Sequence, residues 1–246
     1  MVKVLICIPT YNERENIEPI LRRTLKARED ILKTQSFIED IHILVIDDAS
    51  PDGTSTLVRS LALENVDILD RTEKLGLGPA YIAGFTLGIA QGFTHFVEMD
   101  ADASHQPEEL YRLTAEIPGS ELILGTRWMA GGKVVNWPIH RKLLSRMGTK
   151  YASVGLGLPF KDVTGGYRIL SRDLLAKIDL STVQTRGYGF QIEMVMRAWK
   201  LGSPITQVPI TFIDRTLGKS KMNSKIALEA IWQITKWSLK RVFASS

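Results

Sequence analysis

Apolar residues recur in short runs closed by turn chemistry, and segments with helical spacing lie between them. Val2-Lys3-Val4-Leu5-Ile6-Cys7-Ile8 reads as a strand stopped by Pro9, and Ile17, Ile20, Leu21 and Leu25 follow at the spacing of one helix face. His42 to Asp48 reads as a second strand. Pro51-Asp52-Gly53 is turn chemistry, and a helix bearing Leu57, Val58 and Leu61 comes next. Val66 to Leu69 makes a third strand, leading through Gly76 and Gly78 to a helix from Pro79. The fourth strand, from His95, runs into Asp100 and Asp102; a helix from Pro107 and a strand from Glu121 to Thr126 complete the series. This alternation predicts an α/β fold: a Rossmann-like, mostly parallel sheet with helices on both faces.

Beyond Arg127 the rhythm changes. Gly131-Gly132-Lys133 and Trp137-Pro138 mark an irregular connection, and a helix is expected from about Ile139 to Val154. Asp162 to Arg168 reads as a turn entering a short strand, Gln191 to Leu201 as a helix, and Ile205 to Phe212 as one edge strand containing Pro209. The final segment, Ser224 to Phe243, is an amphipathic helix with one polar stripe and with Trp232 and Trp237 among its apolar residues. Such a helix either packs on the domain or lies in a bilayer interface. The expected division is a catalytic domain over 1–222 and the amphipathic helix over 223–246.

The bulk properties narrow the partners. At 246 residues the chain can bury a full core, and its net charge of +4 suits an anionic ligand or a membrane surface. It lacks the basic tracts of a nucleic-acid binder. The single cysteine, Cys7, lies inside an apolar strand and reads as packing. No leader segment precedes the first strand and no apolar run reaches the ~20 residues of a membrane span, so a cytoplasmic location is expected.

Candidate chemistry gathers where strands end, the usual place for ligands in open sheets. In an extended segment Asp100 and Asp102 face one side together, and two hard oxygen ligands suit a divalent ion that keeps waters and binds a diphosphate. Alternatively Asp102 or Ser104 caps the helix that follows. Thr10 and Glu13 have capping-box spacing; the functional alternative sets Tyr11 under a base and Glu13 against ring donors. Arg141 and Ser145, at i and i+4, pair a guanidinium with a hydroxyl and suit a phosphate monoester. His105 and His140 read as capping or packing residues, not as part of a relay.

Together Pro9-Thr10-Tyr11-Asn12-Glu13, Asp47 to Thr54, Lys74-Leu75-Gly76-Leu77-Gly78, Asp100-Ala101-Asp102, Gly125-Thr126-Arg127, Thr164 to Arg168 and Asp214-Arg215 through Ser220-Lys221 resemble the family-2 glycosyltransferases of GT-A fold. Within that family they resemble the dolichyl- or polyprenyl-phosphate mannose synthases. The resemblance implies inverting transfer of mannose from GDP-mannose to a polyprenyl phosphate with Mg²⁺ or Mn²⁺. It implies that Pro9, Tyr11, Glu13, Ile46 and Asp48 hold the guanosine, with Lys74 on the donor side. Asp100, Ala101 and Asp102 would serve the diphosphate and metal, with Ser104 standing where some relatives carry a glutamine ligand. Arg127, Arg215 and Lys221 would engage phosphates, Asp102, Arg127 and Arg215 being the catalytic set, and Arg141 and Ser145 would receive the acceptor phosphate. Many relatives continue into transmembrane helices. This chain resembles instead a branch held peripherally at the cytoplasmic face of a membrane, with or without a membrane partner protein.

The nearest rival is the same chemistry with UDP-glucose; a more distant one is a non-catalytic sugar-nucleotide-binding protein. A nucleotidyltransferase would be expected to carry a glycine-rich loop where Pro9 to Glu13 stand.

Overall fold

The alternating pattern builds a sheet with a helical layer on each side. The computed structural model of the chain describes residues 1–183, 185, 187–215, 231–239 and 241. The elements are β1 (Val2–Thr10), α1 (Arg14–Thr34), β2 (Ile38–Asp47), α2 (Thr54–Ser60), β3 (Val66–Asp70), α3 (Leu77–Ala90), β4 (His95–Glu98), α4 (Leu110–Thr114), β5 (Leu122–Thr126), β6 (Lys133–Val135), α5 (Ile139–Leu156), β7 (Arg168–Ser171), α6 (Arg172–Lys177), α7 (Tyr188–Lys200), β8 (Ile205–Pro209) and β9 (Thr211–Ile213). Seven strands form one sheet in the order β3-β2-β1-β4-β7-β5-β8, and β6 pairs with β9 in a small second sheet. Among the described residues only β7 runs antiparallel to its neighbours β4 and β5 in the large sheet; the other pairings are parallel.

Alternation along the strands divides the core. Val4, Ile6 and Ile8 face Ile17, Ile20 and Leu21 of α1, whereas Leu5 and Cys7 face Tyr81 and Phe85 of α3 on the other side. Cys7 is fully buried, and burial raises its thiol pKa, so it packs as expected and is not poised to react.

Several expectations need correction. Ile205 to Phe212 is not one edge strand: after Pro209 the chain leaves the large sheet, and Thr211–Ile213 pairs with β6. Proline lacks the amide a longer ladder would need at that step. The segment after Pro107 begins as a three-residue 3-10 turn before α4. Asp100 and Asp102 lie beyond β4, which stops at Glu98, in a segment that bends from Ala101, so strand alternation does not set the directions of their side chains. The capping box at the start of α1 does not form. Thr10 Oγ1 donates to Asp47 Oδ1 (2.7 Å), and the open amides of Glu13 and Arg14 donate to Thr54 Oγ1 and Asp52 Oδ2 (3.1 Å each). The helix is capped from the turn after β2.

In the C-terminal segment, residues 231–239 are helical. Ile234 is buried, Trp237 packs against the α3-side core, and Tyr151 Oη lies 2.7 Å from Thr235 Oγ1, which docks this helix on α5. Trp237 therefore serves packing, while Trp232 stays 67% exposed. Among the described residues no helix is long and apolar enough to cross a membrane.

Candidate active site

Four segments meet at the carboxyl ends of β1, β2 and β4, and each is bent by residues whose polar groups are already engaged. Asn12 and Ala49 adopt positive φ angles (57° and 56°) that turn the chain out of β1 and β2. Asn12 N donates to Ser50 Oγ, and Ser50 in turn is held by Asp47, so the two turns form one unit. Glu13 accepts from Asn16 Nδ2 at 2.7 Å, which orients its carboxylate. Asp48 takes Arg71 NH1 (2.5 Å) on one oxygen and Gly76 N (3.2 Å) on the other. Gly76 reaches this contact at φ 99°, a conformation that suits glycine alone. Lys74 Nζ sits 3.8 Å over the Tyr11 ring, so the donor-side candidates Tyr11 and Lys74 are brought together across the opening. Pro9 is half-buried beside them, whereas Ile46 is fully buried and packs against Gly84 of α3. Gly78 serves packing: a Cβ there would lie 2.7 Å from Thr185 O.

Around Asp100-Ala101-Asp102 the geometry is tight. Asp100 N donates to His105 Nδ1 (3.0 Å), so that nitrogen carries a lone pair and the ring proton belongs on Nε2. His105 is buried, stacked 4.8 Å from Tyr167, and burial lowers its pKa against the pull of Asp100 and Asp102. Its role is to hold the bend, as the sequence suggested. Asp102 Oδ1 accepts from Ser104 N (3.1 Å) and Oδ2 pairs with Arg215 NH2 (3.0 Å). Burial pushes Asp102 up, but the Arg215 guanidinium and the hydroxyl and amide of Ser104 outweigh it and hold the carboxyl below its usual range. Ala101 is buried beneath.

The small β6-β9 sheet carries the cations. Ile213 N donates to Ser104 O and Asp214 N to Val135 O, which fastens the end of β9 between the aspartate bend and β6. From there Arg215 reaches Asp102, while Asp214 Oδ1 holds Arg141 NH1 of α5 at 2.7 Å. Arg141 also lies 4.1 Å over Trp137. Ser145 and Thr149 continue the i, i+4, i+8 line below Arg141, and Thr149 Oγ1 meets Thr164 Oγ1 at 2.9 Å. Arg127 ends that line: its Nε and NH2 form a forked pair with Asp162 (2.6 and 2.8 Å). Asp162 is fully buried; burial pushes it up, yet Arg127 and the surrounding donors bring its pKa below the ordinary value. Lys221 lies outside the described residues.

Sequence reasoning passed over Asp162, Asp214 and Arg168 as site-shaping groups. Arg168 is fully buried, donating to the carbonyls of Gly165, Val163 and Gln191, and so ties the Thr164–Arg168 turn to α7. Its neighbour Glu98 is pushed up to about 7 by burial, against the lowering effect of Arg168. The signal was present in Asp162 and Arg168 bracketing a Gly-Gly turn, and in the Asp214-Arg215 dipeptide.

The residues that could hold a divalent cation are Asp100, Asp102 and Ser104. Ser104 is buried with its hydroxyl close to the Asp102 carboxylate, and among the described residues no cluster of three His, Cys, Asp or Glu side chains could form a complete cage. Two carboxylates and a hydroxyl fit Mg²⁺ or Mn²⁺, which complete their shells with water and substrate phosphate.

Known proteins resemble the chain as a whole. The chain is 45% identical over 240 residues to the undecaprenyl-phosphate mannosyltransferase of Micrococcus luteus, covering 97% of this chain and 95% of that protein. It is 44% identical over 242 residues to the polyprenol monophosphomannose synthase of Mycolicibacterium smegmatis, covering 97% and 88%. Among solved structures, glucosyl-3-phosphoglycerate synthase of Mycobacterium tuberculosis in complex with Mn²⁺, UDP-glucose and phosphoglyceric acid superimposes with a TM-score of 0.65 at 16% identity, covering 98% of this chain and 79% of that one. The same enzyme with Mg²⁺ and UDP gives 0.63 at 18% identity, covering 98% and 79%. These structures share the GT-A fold. Residues 5–179 match the model for glycosyl transferase family 2, and the chain belongs to that family.

Proposed function

We propose that this chain is a polyprenyl-phosphate mannosyltransferase, transferring mannose with inversion from GDP-mannose to a polyprenyl monophosphate of dolichyl type. The observation that carries the reading is the adjacency of two ion pairs, Asp102–Arg215 and Asp214–Arg141, at the end of β9. It sets a donor-side acid and an acceptor-side cation next to each other, as a reaction between two phosphate-bearing substrates requires. The two relatives, whose names describe mannosyl transfer to a polyprenyl phosphate, support that part of the reading over nearly the whole chain.

In this reading Tyr11, Glu13 and Asp48 take the nucleoside, with Pro9 and Lys74 beside it, while Ile46 supports the site from the core beneath. Guanine offers a ring N–H and an amino group on one edge, which match a carboxylate such as Glu13, whereas uracil offers one donor there. Asp100, Ala101 and Asp102, with Ser104, face the diphosphate, and a bound Mg²⁺ or Mn²⁺ would supply Lewis-acid stabilisation of the leaving group. Arg141 and Ser145 receive the acceptor phosphate. With a second pKa near ~6 that phosphate is largely ionised at neutral pH and needs no strong base. The engaged Nδ1 of His105 is in keeping with this. Arg141, Arg215 and Lys221 offset the repulsion between the two anions. Arg127, already matched by Asp162, contributes less net charge.

The lipid end has a surface to lie on. Ile139, Leu143, Leu144, Met147 and Val154 of α5 are exposed, as are Ile231 and Trp232 of the C-terminal helix. We read this face as the peripheral contact with the cytoplasmic side of a membrane, the catalytic domain spanning 1–222 and the amphipathic segment 223–246. The test is incubation with labelled GDP-mannose or UDP-glucose, Mg²⁺ and a short polyprenyl phosphate. Mannosyl lipid from GDP-mannose is the expected product. Glucosyl lipid alone, or none, overturns the reading.

A further inference from the structure

One carboxylate oxygen serves both arginines assigned to the two substrates. Asp214 Oδ1 accepts from Arg141 NH1 at 2.7 Å and from the backbone N–H of Arg215 at 3.1 Å. The Arg215 side chain then extends to Asp102 Oδ2 (3.0 Å). Asp102, Arg215, Asp214 and Arg141 thus form a row of alternating charge from the aspartate bend to α5. The Arg141–Asp214 pair uses NH1 alone, and among the described residues the Nε–NH2 edge of Arg141 has no other hydrogen bond. That edge is the one suited to a forked grip on a phosphate.

The row has a rigid floor. Trp137 lies beneath Arg141, Phe212 is 5.3 Å from Trp137, His105 is 5.5 Å from Phe212 and Tyr167 is 4.8 Å from His105. The backbone of β9 is pinned on both sides by Ser104 O and Val135 O. Asp214 therefore stands at a fixed point and cannot follow a moving arginine.

We propose that Asp214 is a positioning residue for the acceptor: it turns Arg141 so that the Nε–NH2 edge faces the incoming phosphate at a set distance from Arg215. The inference rests on the proposed activity, but its physical content is narrower. A negative charge beside an anion site repels the ligand unless it orders a cation that more than compensates. Removing Asp214 therefore separates two outcomes. If the carboxylate only repels, phosphate binding tightens. If it orders Arg141, binding weakens.

The experiment measures binding of farnesyl phosphate by calorimetry, without nucleotide, to the full chain and to Asp214→Ala, Asp214→Asn, Arg141→Ala and the Asp214→Ala/Arg141→Ala double variant. Steady-state KM and kcat for both substrates are measured alongside. We expect Asp214→Ala to weaken farnesyl phosphate binding and raise acceptor KM about tenfold, with donor KM within about twofold. Asp214→Asn, which keeps a carbonyl oxygen in place, should recover part of the loss. The double variant should bind no worse than Arg141→Ala alone, since both act on one guanidinium. Unchanged or tighter binding in Asp214→Ala, or losses that multiply in the double variant, overturns the proposal, as does a failure of Asp214→Asn to recover any binding while thermal unfolding shows both variants folded. Absence of turnover in the wild type together with Asp214-dependent binding would sink the proposed activity and leave the positioning role standing.

Discussion

Arg127 and Arg215 look alike in the sequence, each a cation after a strand, and the structure separates them by their partners. Arg215 reaches Asp102 at 3.0 Å at the edge of the cleft, whereas Arg127 is forked onto a fully buried Asp162, with its own backbone amide on the same carboxylate. The second pair spans 35 positions of sequence, and no local pattern announces such a contact. The paired aspartates were legible because their spacing is local; the acids that fix the arginines were not. Breaking a buried pair leaves an uncompensated charge, so Asp162→Ala is expected to lower unfolding free energy by about 3–5 kcal/mol. Urea denaturation of the wild type and the variant measures this, and a loss below about 1 kcal/mol would show that Arg127 finds water or another acceptor. Conservative Asp162→Asn keeps two of the hydrogen bonds and should lose less.

Among the elements, α5 shows most clearly what patterning reveals and what it hides. Its extent, and the alignment of Arg141 with Ser145, follow from the sequence, and the structure extends the line to Thr149 against the sheet. Hydrophobic residues occur on more than one side, and pattern alone does not say which side meets the protein. Only Thr149, Ala152 and Leu156 are buried, so Leu143 (58% exposed), Leu144 (64%) and Met147 (60%) face outward. A soluble monomer seldom leaves such a stripe uncovered without a use. With Lys142, Arg146 and Lys150 on the same helix, anionic vesicles are the matching surface. The paired change Leu143→Ser and Leu144→Ser is expected to cut co-sedimentation with phosphatidylglycerol vesicles about tenfold, since even half-burial of two leucines contributes roughly 1.4 kcal/mol or more. Thermal unfolding should stay close to wild type because neither side chain supports the core. Unchanged vesicle partition would assign the stripe some other covering. The break at Pro209 was half legible: proline signalled an edge, but which sheet the chain entered next depended on where β6 lay.

At the scale of the molecule, the fold class and most strands follow from alternation, while the order β3-β2-β1-β4-β7-β5-β8 does not. The insertion of antiparallel β7 between β4 and β5 is decided by long-range packing around Arg168, beyond the reach of periodicity. That insertion makes β4 a central strand, flanked by β1 and β7, and encloses His95 at its start. The ring accepts or donates at Thr94 Oγ1 (3.0 Å), and burial lowers its pKa from 6.5 to about 4, with Asp173 acting weakly in the other direction. A histidine whose folded pKa is depressed is neutral in the native state, while the unfolded chain takes up the proton first. Its neutral burial is therefore fully tolerated above about pH 6.5. Stability is lost as pH falls from there toward 4, because the unfolded state binds more protons throughout that window. Allowing for solvent screening of a half-buried ring, the loss amounts to about 2 kcal/mol. His95→Gln keeps a hydrogen-bonding group for Thr94 and removes the titration. Urea midpoints taken at pH 7 and pH 4.5 should therefore fall further in the wild type than in His95→Gln. Because β4 lies in the middle of the sheet, the difference should appear in a single cooperative transition and not as local fraying. An equal fall in both proteins would place the acid sensitivity among the carboxylates instead, with Asp162 and its buried arginine the first to test.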